Sequence, residues 1–166
     1  MTSPRILFSA LLVFTSVACP SESDERDVIV EKLYRDYSLE FVAFKPEFPT
    51  FADQPESVLT QYLTPDLASL ILKDRECSRR EKKACWIDTP SPWVRVGTVW
   101  RMLNIDVGEG SDVVARFTGV DGVTSLELRY KVVRSGKDWR IDDFSYEGYS
   151  LRENLRTSLR VASLGQ

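Results

Sequence analysis

The adjacent carboxylates Asp142 and Asp143 stand near Tyr130, Tyr146 and Tyr149 in the chain. A carboxylate base facing a tyrosine donor in an apolar cavity can move a proton alpha to a carbonyl. Successive strand residues point to opposite faces, however, so this pair is expected to diverge and end as a solvated strand terminus. No catalytic residue is assigned. A second constellation is basic: Lys73, Arg75, Arg79, Arg80, Lys82 and Lys83, interrupted by Asp74, Glu76 and Glu81. It suits anionic lipid headgroups or an acidic protein surface, and equally a solubilising loop. The third is aromatic, with Trp86, Trp93, Trp100 and Trp139 joined by Phe48 and Phe51 in a proline-bracketed stretch. Most of these belong in a core. Trp86 and Trp93 flank a proline-rich connection and are the candidates for an exposed anchor.

The chain has no histidine, which removes the usual general base and every Ser-His-Asp or Cys-His arrangement. Its three cysteines carry more information. Residues 1–18 hold one basic residue, Arg5, then an apolar run over 6–17 that is too short to cross a bilayer. Val17-Ala18-Cys19 resembles a lipobox, while Ser16-Val17-Ala18 would equally serve ordinary signal cleavage into a soluble periplasmic form. An odd cysteine count in an oxidising compartment favours acylation of Cys19, which leaves Cys77 and Cys85 to pair. Two cysteines are too few for a structural zinc centre, so no metal or cofactor is expected. Closing residues 78–84 in a ring removes roughly 2.6 kcal/mol of unfolded-chain entropy in the simple loop model. The candidate partner-binding residues are therefore Arg79, Arg80, Lys82, Lys83 and Trp86 on a stapled loop.

Length and composition fit one folded domain, with 43% hydrophobic and 28% charged residues. Removing the leader takes away Arg5 and no acid, so the net charge of −3 becomes −4. That disfavours a nucleic-acid partner. The division expected is a signal peptide over 1–18, a tether over 19–23, a domain over 24–160 and a tail over 161–166.

Helices come first. Over residues 24–44 the apolar positions Ile29, Leu33, Tyr37, Phe41 and Phe44 recur at helical spacing. Pro46 and Pro49 interrupt it, and Asp53 with Glu56 is spaced as a capping box before Val58, Leu59 and Tyr62. Thr64-Pro65 opens a third helix carrying Leu67, Leu70 and Ile71 inward. Beyond Trp93 the period changes to two, with turns at residues 108–111, Asp121-Gly122 and 135–138. The pattern predicts a four-stranded antiparallel meander, in which Leu126, Leu128, Tyr130 and Val132 face the core. Ser150 and Glu153 are spaced as a capping box for a C-terminal helix through about Leu159.

Helices in the hollow of a curved four-stranded antiparallel sheet make a cone-like α+β roll, the arrangement of the nuclear transport factor 2-like superfamily. Within it, Leu33-Tyr34-Arg35-Asp36-Tyr37, Tyr62-Leu63-Thr64-Pro65-Asp66-Leu67 and Trp139-Arg140-Ile141-Asp142-Asp143-Phe144, followed by Ser150-Leu151-Arg152-Glu153-Asn154-Leu155, resemble the YbjP/YqhG family of exported bacterial proteins. That family is catalogued as a domain of unknown function, with several lipoproteins among its members. The resemblance spans about residues 28–159 and implies an envelope location. The function expected is a non-catalytic binding or accessory module that docks on an envelope protein partner, attached to the membrane through lipidated Cys19. An immunity-type inhibitor of a periplasmic toxin and a small-ligand or enzymatic roll are the alternatives.

Anchoring has a direct test. Cys19→Ser should release the protein from the membrane fraction or block its maturation, as read by fractionation and intact mass. A variant that stays membrane-bound with wild-type processing counts against acylation.

Overall fold

The computed structural model describes residues 25–37, 50–82, 84–87, 100–107 and 110–164, and of 100–103, 107 and 162–164 the backbone alone. The expected leader and tether with Cys19, and also Phe41, Phe44, Phe48, Lys83 and Trp93, lie outside those residues.

The first helix, α1 (Arg26–Asp36), buries Ile29, Val30, Leu33 and Tyr34 in one stripe at the expected spacing, but it ends at Asp36, with Tyr37 as a non-helical C-cap, well short of the expected residue 44. Its first turn is fixed by side chains. Arg26 donates to the Gly110 carbonyl, and the Glu25 carboxylate accepts from Arg134 at 3.3 Å and from the Trp139 indole at 3.4 Å. At the other end the Asp36 carboxylate accepts the Tyr62 hydroxyl at 2.7 Å.

One 3-10 turn, Phe51–Asp53, precedes α2 (Glu56–Leu59). Here the expected Asp53–Glu56 box is corrected. Pro55 holds Gln54 extended, so Asp53 cannot start the helix and instead closes the turn behind it. Its carboxylate accepts from the Thr50 amide and hydroxyl at 3.3 and 2.9 Å. The next helix, α3 (Pro65–Glu81), opens as expected on Thr64 and Pro65 and buries Leu67, Ala68, Ile71, Asp74 and Cys77 at three-to-four spacing. It runs through Ser78, Arg79 and Arg80, so half of the supposed loop is helix. Lys82, at φ 53°, ends it in the left-handed conformation.

Five strands follow in sequential antiparallel order: β1 (Trp100–Val107), β2 (Asp112–Gly119), β3 (Ser125–Ser135), β4 (Asp138–Tyr146) and β5 (Tyr149–Ser150). Four are expected from the pattern. The fifth exists because Glu147 and Gly148 both take positive φ, 47° and 83°, and fold Tyr149 back on Tyr146. Asp121-Gly122 turns β2 into β3 as predicted, with Asp121 accepting from the Val123 and Thr124 amides at 2.9 and 2.8 Å. Leu126, Leu128, Tyr130 and Val132 are buried on one face of β3. On the other face Arg116 bridges Asp106 and Glu127 at 2.5 and 3.0 Å.

The remaining helix, α4 (Leu151–Leu164), buries Leu151 and Leu155 and extends five residues beyond the expected Leu159. The expected tail is thus helical as far as Leu164. Its cap is Ser150, whose hydroxyl accepts from the Glu153 amide at 3.1 Å.

On the inner face of the sheet, Tyr34 of α1 sits edge-on to Phe117 at 5.3 Å and to Tyr130 at 5.9 Å between centroids. The two tyrosine hydroxyls bond each other. Burial raises both phenol pKa values, so both stay neutral hydrogen-bonding groups.

The core is directly testable. Leu33, fully buried, should cost about 2–5 kcal/mol when changed to alanine, read as a lower urea midpoint at unchanged slope. Val28→Ala, on the exposed side of the same helix, should stay within about 0.5 kcal/mol.

Candidate functional site

The Cys77–Cys85 disulfide is present, with Cα atoms 6.1 Å apart, and it is one of several ties on the same short segment. Asp74, Cys77 and Ser78 lie at i, i+3 and i+4 on α3, hence on one face. Each holds part of residues 85–87. The Ser78 hydroxyl accepts the Cys85 amide at 3.1 Å, and the Asp74 carboxylate accepts the Ile87 amide at 3.1 Å. From α4, the Ser158 hydroxyl donates to the Cys85 carbonyl at 3.1 Å. Trp86 is left 43% exposed in the middle of this clamp.

The residues singled out in the sequence divide here. Arg79 and Arg80 lie exposed on the last turns of α3, where Arg80 pairs with Glu81 at 3.1 Å. Lys82 is the exposed helix terminus. Arg75 leaves the patch: its guanidinium turns to the Ala52 and Gln54 carbonyls at 3.3 and 2.7 Å. Asp74, taken from sequence as an acid interrupting a solvated patch, is only 1% exposed. Burial raises its carboxyl pKa, while the Ile87 and Trp86 amides pull it down. Sequence reasoning missed Asp74, Ser78 and Ser158 as clamp residues. The signal available was the i, i+3, i+4 spacing of Asp74 and Ser78 about Cys77.

Asp142 and Asp143 converge, contrary to expectation. Lys131 pairs with Asp143 while Val132 pairs with Ile141, so Asp142 is the extra residue of a β-bulge, and a bulge re-aims the side chains around it. Both carboxylates meet the first turn of α4. Arg152 holds Asp142 through two nitrogens at 2.9 Å each, and the Thr64 hydroxyl reaches it at 3.1 Å. Asp143 accepts the Arg152 amide at 2.9 Å and the Ser150 hydroxyl at 2.5 Å. Negative charge at a helix N-terminus is stabilising. The tyrosines are elsewhere, with Tyr130 bonded to Tyr34 in the core and Tyr149 exposed on the β4–β5 turn. The pair is arranged as a clasp rather than as a base with a donor.

A notch of about 390 Å³ lies between β3 and the β4–β5 turn, lined in part by Leu126, Arg129, Ser145 and Tyr146. Its Arg129 is bound to Glu127 at 2.6 Å. Among the described residues no three histidine, cysteine, aspartate or glutamate side chains gather as metal ligands. No described helix is long and apolar enough to cross a membrane.

No family model matches the chain, and no curated protein matches it. Among solved structures it is similar to a phospholipid-binding protein from Ralstonia solanacearum, determined in complex with a phospholipid. The identity is 17%, over 87% of this chain and 79% of that one, with a TM-score of 0.30. A likeness at that level carries no argument. What the coordinates themselves define is an α+β protein: helices on an open, five-stranded antiparallel sheet.

The clamp predicts a pH dependence. A carboxyl whose folded pKa lies above its unfolded value binds its proton more tightly in the native state, so stability falls as pH rises through that window. Asp74→Asn should remove this component and remain within about 1 kcal/mol of wild type at neutral pH, because its amide oxygen still accepts from Ile87. Asp74→Ala leaves the amides unpaired and should cost about 1–3 kcal/mol. Urea unfolding across pH 4 to 8, as about the accessible range, separates the three proteins.

Proposed function

We infer that this protein is an exported, lipid-anchored, non-catalytic domain on the periplasmic side of the bacterial cell envelope, where it binds a protein partner as an accessory module. The observation that carries the reading is the clamped segment 84–87. A disulfide and hydrogen bonds from Asp74, Ser78 and Ser158 fix it before any partner arrives, so little ordering cost remains on docking. The side chain left outward is a tryptophan, close in sequence to two exposed arginines, and these residue types dominate interface energetics. Packing among the described residues supports a surface role over an interior ligand: Tyr34, Phe117, Tyr130 and Phe144 are all buried where α1 meets the sheet. The finer assignment, a cone-like roll of the nuclear transport factor 2-like kind related to the YbjP/YqhG family, rests on the motif residues on α1, at the start of α3 and on β4.

Crosslinking in intact envelopes, followed by affinity measurement with the purified partner, tests the reading. Trp86→Ala should weaken binding by roughly 30-fold, mainly through faster dissociation. Arg79→Glu with Arg80→Glu should slow association, most strongly at low salt. A partner whose affinity is unchanged by all three substitutions, in folded protein, would move the site away from the clamp.

A further inference from the structure

We propose that the Cys77–Cys85 disulfide is an exchange site for an external thiolate, and that the Asp74 carboxyl is the proton partner of Cys77 in that exchange. The inference does not depend on what Trp86 docks against. The two sulfurs are unequally placed. Cys77 lies on α3 and is 3% exposed, whereas Cys85 is half-exposed on the returning segment, so a thiolate from solution meets the Cys85 sulfur and makes Cys77 the leaving group. A thiolate at Cys77 is disfavoured twice, by burial and by the C-terminal end of α3. It needs a proton. Asp74 stands one turn before Cys77 on the same face of α3 and is itself buried. One of its carboxylate oxygens accepts the Ile87 amide at 3.1 Å, and the other, Oδ1, is buried with no hydrogen-bond partner among the described residues. An orphaned buried oxygen in a native fold calls for an explanation. A group that gives a proton to Cys77 and takes one back from it supplies that explanation.

The external thiolate bonds to the Cys85 sulfur, the S–S bond breaks, and its electron pair leaves on the Cys77 sulfur, which takes the proton of the Asp74 carboxyl. The products are a mixed disulfide at Cys85, a Cys77 thiol and the Asp74 carboxylate. A second thiol of the reductant resolves the mixed disulfide, leaving both cysteines reduced and the reductant oxidised to its own disulfide. In the reverse direction the carboxylate takes the Cys77 proton as that sulfur attacks. In the reduced protein the Cys77 thiol donates to Oδ1, so the orphaned oxygen gains its partner. Burial suits the carboxyl to this role, raising its pKa against the pull of the Ile87 and Trp86 amides. Those amides face it from segment 84–87. From α4 the Ser158 hydroxyl is turned to Cys85, and Arg156 and Arg160 are exposed. On α3 Lys73 and Glu76 are exposed, and the Arg75 guanidinium is bonded to the Ala52 and Gln54 carbonyls. Among the described residues no charged side chain contributes to the shift, so the proton on Asp74 follows its burial.

The test treats the oxidised, folded full chain with reduced glutathione and, separately, with reduced thioredoxin as the source of thiolate. Alkylation stops the reaction, and mass spectrometry follows the labelling of Cys77 and Cys85. Rate constants are expressed per reagent thiolate, which removes the ionisation of the reagent itself. Over about pH 5 to 8 the wild-type constant should fall as pH rises through the Asp74 window, because the protonated carboxyl is the active form. Asp74→Asn keeps the bond to Ile87 but has no proton to give, and should be about tenfold slower at the acid end with a flat profile. Ser158→Ala, which loosens Cys85 and leaves the carboxyl in place, should keep the wild-type profile. Reaction with either thiol supports the exchange and identifies its source; reaction with neither overturns it. An Asp74→Asn protein as fast as wild type or faster, or a Ser158→Ala protein with a flat profile, makes the carboxyl a packing group and overturns its role.

Discussion

The free edge of β4 is the constraint that the helical layer is built around. An open strand edge is a template for unwanted pairing and has to be covered. Here two short segments cover it. Near its start, Ile141 exchanges backbone hydrogen bonds with Tyr62 and Thr64 at 2.8 and 2.9 Å; near its end, β5 pairs with Ser145 and Tyr146. Between them the bulge at Asp142 turns two carboxylates toward the first turn of α4. The two-nitrogen grip of Arg152 on Asp142, with Thr64 on the same carboxylate, joins the starts of α3 and α4 to the strand in one cluster. Removing one partner of a pair this sheltered leaves a charge without compensation, so the cluster specifies where the helices begin.

That arrangement sets the two helices side by side with their beginnings together. Thr64 and Arg152 meet at one end, and Cys85, past the end of α3, meets Ser158 midway along α4. The clamp around Trp86 is thus assembled from both helices, and its geometry follows from the strand edge below. A segment ordered in this way presents its side chain from a rigid support, the condition under which a single aromatic residue contributes most to docking.

Much of the fold was legible because it is written in periodicity and local caps. The alternation from Leu126 to Val132, the Thr64-Pro65 start, the Asp121-Gly122 turn and the Ser150 cap all depend on residues a few places apart. What was not legible depends on contacts distant in sequence or on one inserted residue. The bulge that turns Asp142 is visible only once β3 and β4 are paired. The fifth strand hung on Glu147-Gly148, where a non-glycine residue at positive φ is an uncommon choice. Asp74 looked like one charge among many until the return of the chain at Ile87 buried it. Among the residues singled out, the exposure of Trp86 could be read from the proline-rich connection it flanks, whereas the inward turn of Arg75, a member of the basic constellation, required knowing that the carbonyls of Ala52 and Gln54 lie beneath it.

The outer face of the sheet narrows the directions from which anything can approach. Asp106, Arg116, Glu127 and Arg129 run across three strands as a continuous chain of contacts, each partner between 2.5 and 3.0 Å from the next. Covering that chain with another protein layer would strip water from four ions at once, at a cost of several kcal/mol per ion unless new partners replaced it. The domain is therefore one-sided. Any contact with another protein would cost less desolvation on the helical layer or at the two ends of the strands than on this face.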